Sequence, residues 1–142
     1  MPKELFLYLI SHDRKEIKTH TYIGCVQDFV KRLNQHNGLV SGGPRITKRA
    51  AGSWDPVIVL KLPANRKFKS KVVKRQWKST SRGLASRIKK GLEIALKYNL
   101  TCYIMKDYKK QMPILDYFKD KWQDNKVKAS LADWENILNS DI

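Results

Sequence analysis

Apolar residues cluster into short runs separated by charged stretches, and the spacing within each run assigns an element. FLYLI, Phe6 to Ile10, is uninterrupted and apolar, as expected of a buried strand. A charged connection, His12 to Lys18, leads to a second strand-like segment from His20 to Cys25, and the separation suits a hairpin. Asp28 then stands where a helix N-cap belongs. Phe29, Leu33 and His36 recur at helical spacing, and Gly38 marks the stop. Ser41 to Ser53 reads as loop. PVIVLKL, Pro56 to Leu62, is the strongest strand signal, being rich in β-branched residues. Ser70–Lys78 and Arg82–Tyr98 read as helices, the second with Leu84, Ile88, Leu92 and Ala95 as its apolar stripe. LTCYIM, from Leu100, fits either a further strand or a buried segment. Two more helices are expected near Ile114–Trp122 and Leu131–Leu138. The last has a capping-box-like start at Ser130 and Asp133.

The order β-β-α-β-α-α predicts an α/β (α+β) fold. It comprises a small antiparallel sheet of about three strands flanked by helices, with extra C-terminal helices. The expected division is residues 1–98 as the main domain and 99–142 as a helical extension packed on it. At 142 residues the chain is long enough to bury a substantial core. Its four Trp and six Tyr argue against disorder. The apolar run at Leu5–Ile10 is too short to span a membrane. Cys25 and Cys102 form no CxxC or zinc-type cluster and are expected as reduced core thiols. That points to an intracellular protein, in cytoplasm, nucleus or virion.

Charge changes the picture most. Twenty-nine Lys and Arg oppose thirteen Asp and Glu, a net +16. Residues 1–106 hold 23 basic and 6 acidic side chains, a net of +17, whereas 107–142 hold 6 and 7, a net of −1. Between Pro56 and Leu92 stand twelve basic residues and no acid. Such a lobe repels itself unless an anion relieves it. Nucleic acid is the expected partner, since each phosphate neutralised releases counterions. A membrane surface fits less well, because no strongly apolar amphipathic helix with a basic rim accompanies the charge. Arg45, Lys48 and Arg49 in the loop, with Lys71, Lys74, Arg75 and Lys78 on the next helix, are the expected phosphate contacts. Trp54 and Trp77 could stack on unpaired bases, but core packing is the expected role of both.

Three motifs carry a resemblance. Tyr8 lies within FLYLI, and Tyr22-Ile23-Gly24 follows on the second strand. Arg32 comes eight residues after Gly24, and Gln35-His36-Asn37 follows in register. Then comes GGPRITKRAAGSWDPVIVL, of the form GG-x-R-x-T before a strand. Together these residues resemble the GIY-YIG nuclease family, most closely the branch holding the branched-DNA structure-specific endonuclease subunit and its small bacterial relatives. The resemblance covers roughly Leu5 to Leu92. It implies DNA, duplex or branched, as substrate and phosphodiester hydrolysis assisted by Mg²⁺ or Mn²⁺. It also implies site roles. Tyr8 would activate water, Tyr22 would lie beside the scissile phosphate, and Arg32 would clamp it. His36 stands four residues after Arg32 on the same helix face, positioned to relay a proton or orient Tyr8. Gly24, counted with the DNA-binding residues, would let the backbone approach the site closely.

Two departures stand out. Phe6 replaces the first motif's Gly. No Asp or Glu occurs between Asp55 and Glu93, so the family's metal-binding Glu has no counterpart. Aligned on the aromatic, VKRQW places Gln76 at that position. A neutral carbonyl anchors Mg²⁺ poorly. Three readings follow. The metal Glu has been replaced, so that the protein binds DNA without cutting. Alternatively, the fold serves as a natural pseudonuclease module. In the third, an active enzyme recruits a carboxylate such as Glu93 or the acidic C-terminal region, or lets a lysine stand in for the metal. A separate class is a basic structural or scaffold protein, for example of a large DNA virus, with Tyr117, Phe118, Trp122 and Trp134 as a surface for a protein partner.

Overall fold

The computed structural model describes residues 5–63, 67–104 and 127–128. Phe6–Ser11 (β1) and Thr21–Val26 (β2) form an antiparallel hairpin in which Tyr8 faces Gly24 and Ile10 faces Tyr22. Asp55–Lys61 (β3) pairs antiparallel with the other side of β1, placing Val59 opposite Tyr8. Every residue of β1 is buried, which is why its sequence is apolar throughout rather than alternating. Thr101–Ile104 (β4) adds antiparallel to β3, so LTCYIM does contribute a strand. The antiparallel sheet therefore has four strands rather than about three. The two-residue Val127–Lys128 (β5) adds in parallel beyond β4, giving the order β2-β1-β3-β4-β5. A two-residue pairing has no periodicity to read. The sheet runs past the 98/99 division, because β4 follows directly on the preceding helix. Both expected C-terminal helices, with Tyr117, Phe118, Trp122 and Trp134, lie outside the described residues.

Strand alternation sends successive side chains to opposite faces and builds two cores. On one face Leu7, Leu9, Ile23, Ile58 and Leu60 pack with Ser70–Ser79 (α2) and Gly83–Lys97 (α3). On the other, Phe6, Tyr8, Ile10 and Val59 pack with Phe29–His36 (α1), the 3₁₀ segment Arg45–Ala50 and Trp54. Asp28 caps α1 by accepting from the Lys31 amide at 3.0 Å, and Gly38 leaves the helix at φ 73°. The stretch read only as loop thus contains a 3₁₀ turn, which buries Thr47 and Ala50 and leaves its cations outside. Cys25 is half-buried and Cys102 buried, and both are free thiols. Among the described residues no helix is long and apolar enough to cross a membrane.

Trp77 anchors α2 to α3. It is fully buried, its indole N–H donates to the Arg87 carbonyl at 2.8 Å, and Gly91 lies against its ring. Trp54 is also buried, with its indole N–H on the Thr47 carbonyl at 2.8 Å. Both are core residues, not stacking platforms. Trp77→Ala is expected to cost about 3–5 kcal/mol in urea unfolding, because it removes a large buried ring and leaves a cavity.

Candidate nucleic-acid site

The site grows from one close approach between strands. Tyr8 and Gly24 are direct partners across β1 and β2, and the Tyr8 ring packs against Gly24. A Cβ at position 24 would overlap the Tyr8 hydroxyl and ring. Gly24 is therefore buried beneath Tyr8. Its lack of a side chain makes room for that ring.

The Tyr8 hydroxyl then reaches α1. It lies 2.7 Å from His36 Nε2, and His36 Nδ1 lies 2.8 Å from Thr47 Oγ1. Thr47 itself donates to the Pro44 carbonyl at 3.0 Å, so its oxygen must accept from His36. This assigns the proton to Nδ1 and leaves Nε2 to accept from Tyr8. The result is a directed chain from Tyr8 through His36 and Thr47 to a backbone carbonyl. Burial holds His36 down to about 4, and the nearby Arg32 charge adds to the effect. Burial pushes the Tyr8 hydroxyl far up, Tyr22 adds to this, and Arg32 opposes it. Both groups are neutral at pH 7.

The motifs flanking His36 hold this chain in place. Gln35 donates to the Ser41 carbonyl at 3.2 Å and packs under Gly42 and Gly43, which sit at φ 107° and 88°. Asn37 pairs with both backbone groups of Trp54, accepting from its amide at 2.9 Å and donating to its carbonyl at 3.0 Å. The Gln-His-Asn triplet and the GG-x-R-x-T loop thus dock onto each other. Thr47, the Thr of that loop, was missed as a site residue. Its signal was its place in the motif, eleven residues beyond His36, within a segment lacking any apolar periodicity.

Tyr22 and Arg32 are the accessible members. Tyr8 is 2% exposed and His36 0%, whereas Tyr22 and Arg32 are half-buried. The Tyr22 ring centre is 4.9 Å from that of His36 and 6.2 Å from that of Tyr8. Burial raises the Tyr22 hydroxyl pKa, and Arg32 opposes the shift. Among the described residues the Arg32 guanidinium makes no ion pair or side-chain hydrogen bond. It lines an open hollow of about 280 Å³ with Val26, Asp28, Lys31 and Gln35. A half-buried cation left unpaired beside a hollow is suited to an anionic ligand.

The remaining expected residues fall into two groups. Arg45, Lys48 and Arg49 are exposed on the 3₁₀ segment, on the same side of the sheet as Tyr8. Arg45 and Arg49 border a hollow of about 660 Å³ against the β1–β2 loop. Lys71, Lys74, Arg75 and Lys78 line a groove of about 480 Å³ on α2, in the opposite layer. Gln76 is on α2 too, but its Oε1 accepts from the Tyr98 hydroxyl at 3.4 Å. Tyr98 packs on the core beneath α2 and α3, so Gln76 is turned toward the end of α3 and away from the Tyr8 cluster. Ser70 and Lys74 of α2 both interact with Cys25 of β2.

The described residues around Tyr8 do not suit a divalent cation. Mg²⁺ and Mn²⁺ favour carboxylate and other oxygen ligands. Around Tyr8 stand neutral phenols, an imidazole whose two nitrogens are engaged, and a guanidinium. The carboxylate bordering the Arg32 hollow, Asp28, caps α1. Among the described residues no three His, Cys, Asp or Glu side chains gather into a metal-binding group.

The neutral buried His36 links stability to pH. Its folded pKa, about 4, lies below the unfolded value near 6.5, so the unfolded chain binds the extra proton. This contribution is intact above pH ~6.5 and is lost as pH falls toward 4, on the order of 3 kcal/mol in all. Urea unfolding of the wild type should weaken over that window. His36→Gln should be less stable at pH 7 and show a flatter pH profile. No protein-family model matches the chain, and no curated protein matches it.

Proposed function

We propose that this protein binds DNA through its phosphates on a GIY-YIG-type nuclease fold and does not itself hydrolyse the phosphodiester bond. The observation that carries this reading is the Tyr8–His36–Thr47 chain, packed over Gly24, with an unpaired Arg32 and Tyr22 at its accessible edge. The motif residues that resemble the family converge in space, although they are spread over about forty positions of sequence. Arg32 supplies a phosphate clamp, and Tyr22 supplies a hydroxyl beside it. The 3₁₀ cations extend the same basic face.

The lack of hydrolysis follows from the chemistry of the same groups. Water can lose a proton to Tyr8 only as Tyr8 passes its own to His36 Nε2. That acceptor is a weak base, held at about 4 chiefly by burial. The Tyr8 hydroxyl is itself enclosed. The described residues around Tyr8 also offer no carboxylate set to hold a metal against charge building on the phosphate. The two free thiols support a reducing location such as cytoplasm, nucleus or virion.

Supercoiled plasmid and branched DNA incubated with the protein and Mg²⁺ or Mn²⁺ are expected to stay intact. Cleavage that disappears in Arg32→Ala would overturn the non-hydrolytic reading. Binding to duplex or branched DNA should be tight at low salt and fall steeply as salt rises. Arg32→Gln should reduce the slope of log K against log salt by about 1. Failure to bind either DNA at low salt would refute the proposed function.

A further inference from the structure

The groove on α2 carries an electrostatic cost that none of the described residues relieves. Lys71, Lys74, Arg75 and Lys78 stand at i, i+3, i+4 and i+7, which places four cations on one stripe of a ten-residue helix. The first turn has no acid, and the N-cap, Lys69, makes no side-chain hydrogen bond and adds another positive charge at the positive end of the helix dipole. Among the described residues none of the four forms a salt bridge; the nearby Lys90–Glu93 pair belongs to α3. Like charges at this spacing oppose the helix unless an anion lies between them.

Position decides which anion. α2 packs against β2, an outer strand of the sheet. Consecutive residues of β2 point to opposite faces. Val26 borders the Arg32 hollow on one face, whereas Cys25 meets Ser70 and Lys74 of α2 on the other. The Arg32 hollow and the lysine groove therefore flank the same end of a single strand. An extended polyanion laid over that end reaches both, whereas a small anion fills only one.

We propose that the α2 groove is the second half of the nucleic-acid site, where Lys71, Lys74 and Lys78 take phosphates in place of a divalent cation. A phosphate backbone crossing the end of β2 is then held from both faces of the sheet without metal. This inference rests on the DNA-binding reading and adds where the backbone runs and what neutralises it. It also accounts for the acid-free stretch from Pro56 to Leu92, which supplies the whole of α2.

The test uses the full chain and a fluorescein-labelled DNA duplex, followed by anisotropy through a salt titration in EDTA and again in MgCl₂. Wild-type affinity should be retained in EDTA, with added Mg²⁺ acting only as a competing cation. Lys71→Gln/Lys74→Gln/Lys78→Gln should bind at least tenfold more weakly at low salt, with a salt slope reduced by about 3. Lys71→Gln/Lys78→Gln, both exposed, should lose about 2 from the slope and guards against misfolding of the triple variant. Combining either variant with Arg32→Gln should weaken binding further. Wild-type binding that is unaffected by these α2 substitutions, or that drops tenfold or more in EDTA, overturns this inference and leaves DNA binding itself standing. No wild-type binding at low salt overturns both.

Discussion

The hydrogen bond from Tyr8 to His36 is the constraint around which one half of the molecule is arranged. It joins β1 to α1 across 28 residues, inside the protein, between two groups that are costly to bury unpaired. Each neighbouring feature serves it. Gly24 clears space for the ring, Thr47 fixes the imidazole tautomer, and Phe29 packs against Tyr8 at 5.2 Å. The Gly42-Gly43 turn lies on Gln35, and Asn37 fastens the segment before β3 to the end of α1. Removing Tyr8, His36 or Thr47 would leave a buried hydrogen-bonding group without its partner.

The same arrangement limits the chemistry. A phenol and an imidazole sealed beneath Tyr22 are rigid and neutral, which makes them good supports and poor proton acceptors. Arg32 is held at the edge, and among the described residues it has no ion-pair partner. Among the described residues, no group of metal-ligating side chains gathers around the site. On the other face of the sheet, α2 presents the cations Lys71, Lys74, Arg75 and Lys78.

Much of the sheet was readable because apolar runs and β-branched residues leave strong local signals. FLYLI and PVIVLKL became β1 and β3, and the helices α1, α2 and α3 began and ended close to their expected bounds. The motif spacing singled out Tyr8, Tyr22, Arg32 and His36, and the structure brings these side chains near one another. Gln76 shows the limit of that approach. Its alignment rested on one aromatic, Trp77, and a helix rotates about 100° per residue. The neighbour of a buried Trp can therefore face either flank, and in the structure Gln76 faces Tyr98. Thr47 escaped because a 3₁₀ turn buries two residues without producing an apolar period.

By itself the sequence determined the element order, the two-sided burial of β1, the +16 charge and the register of the motif residues along the chain. Those properties are local or additive, so they survive without knowledge of long-range contacts. Only the tertiary structure decided that Gly24 serves Tyr8, that Thr47 orients His36, and that Gln76 lies apart from them. It alone also showed that two basic surfaces flank one end of β2. These outcomes depend on which residues meet after strands pair and helices choose a face. Such meetings are set by packing across tens of residues, which no local pattern records.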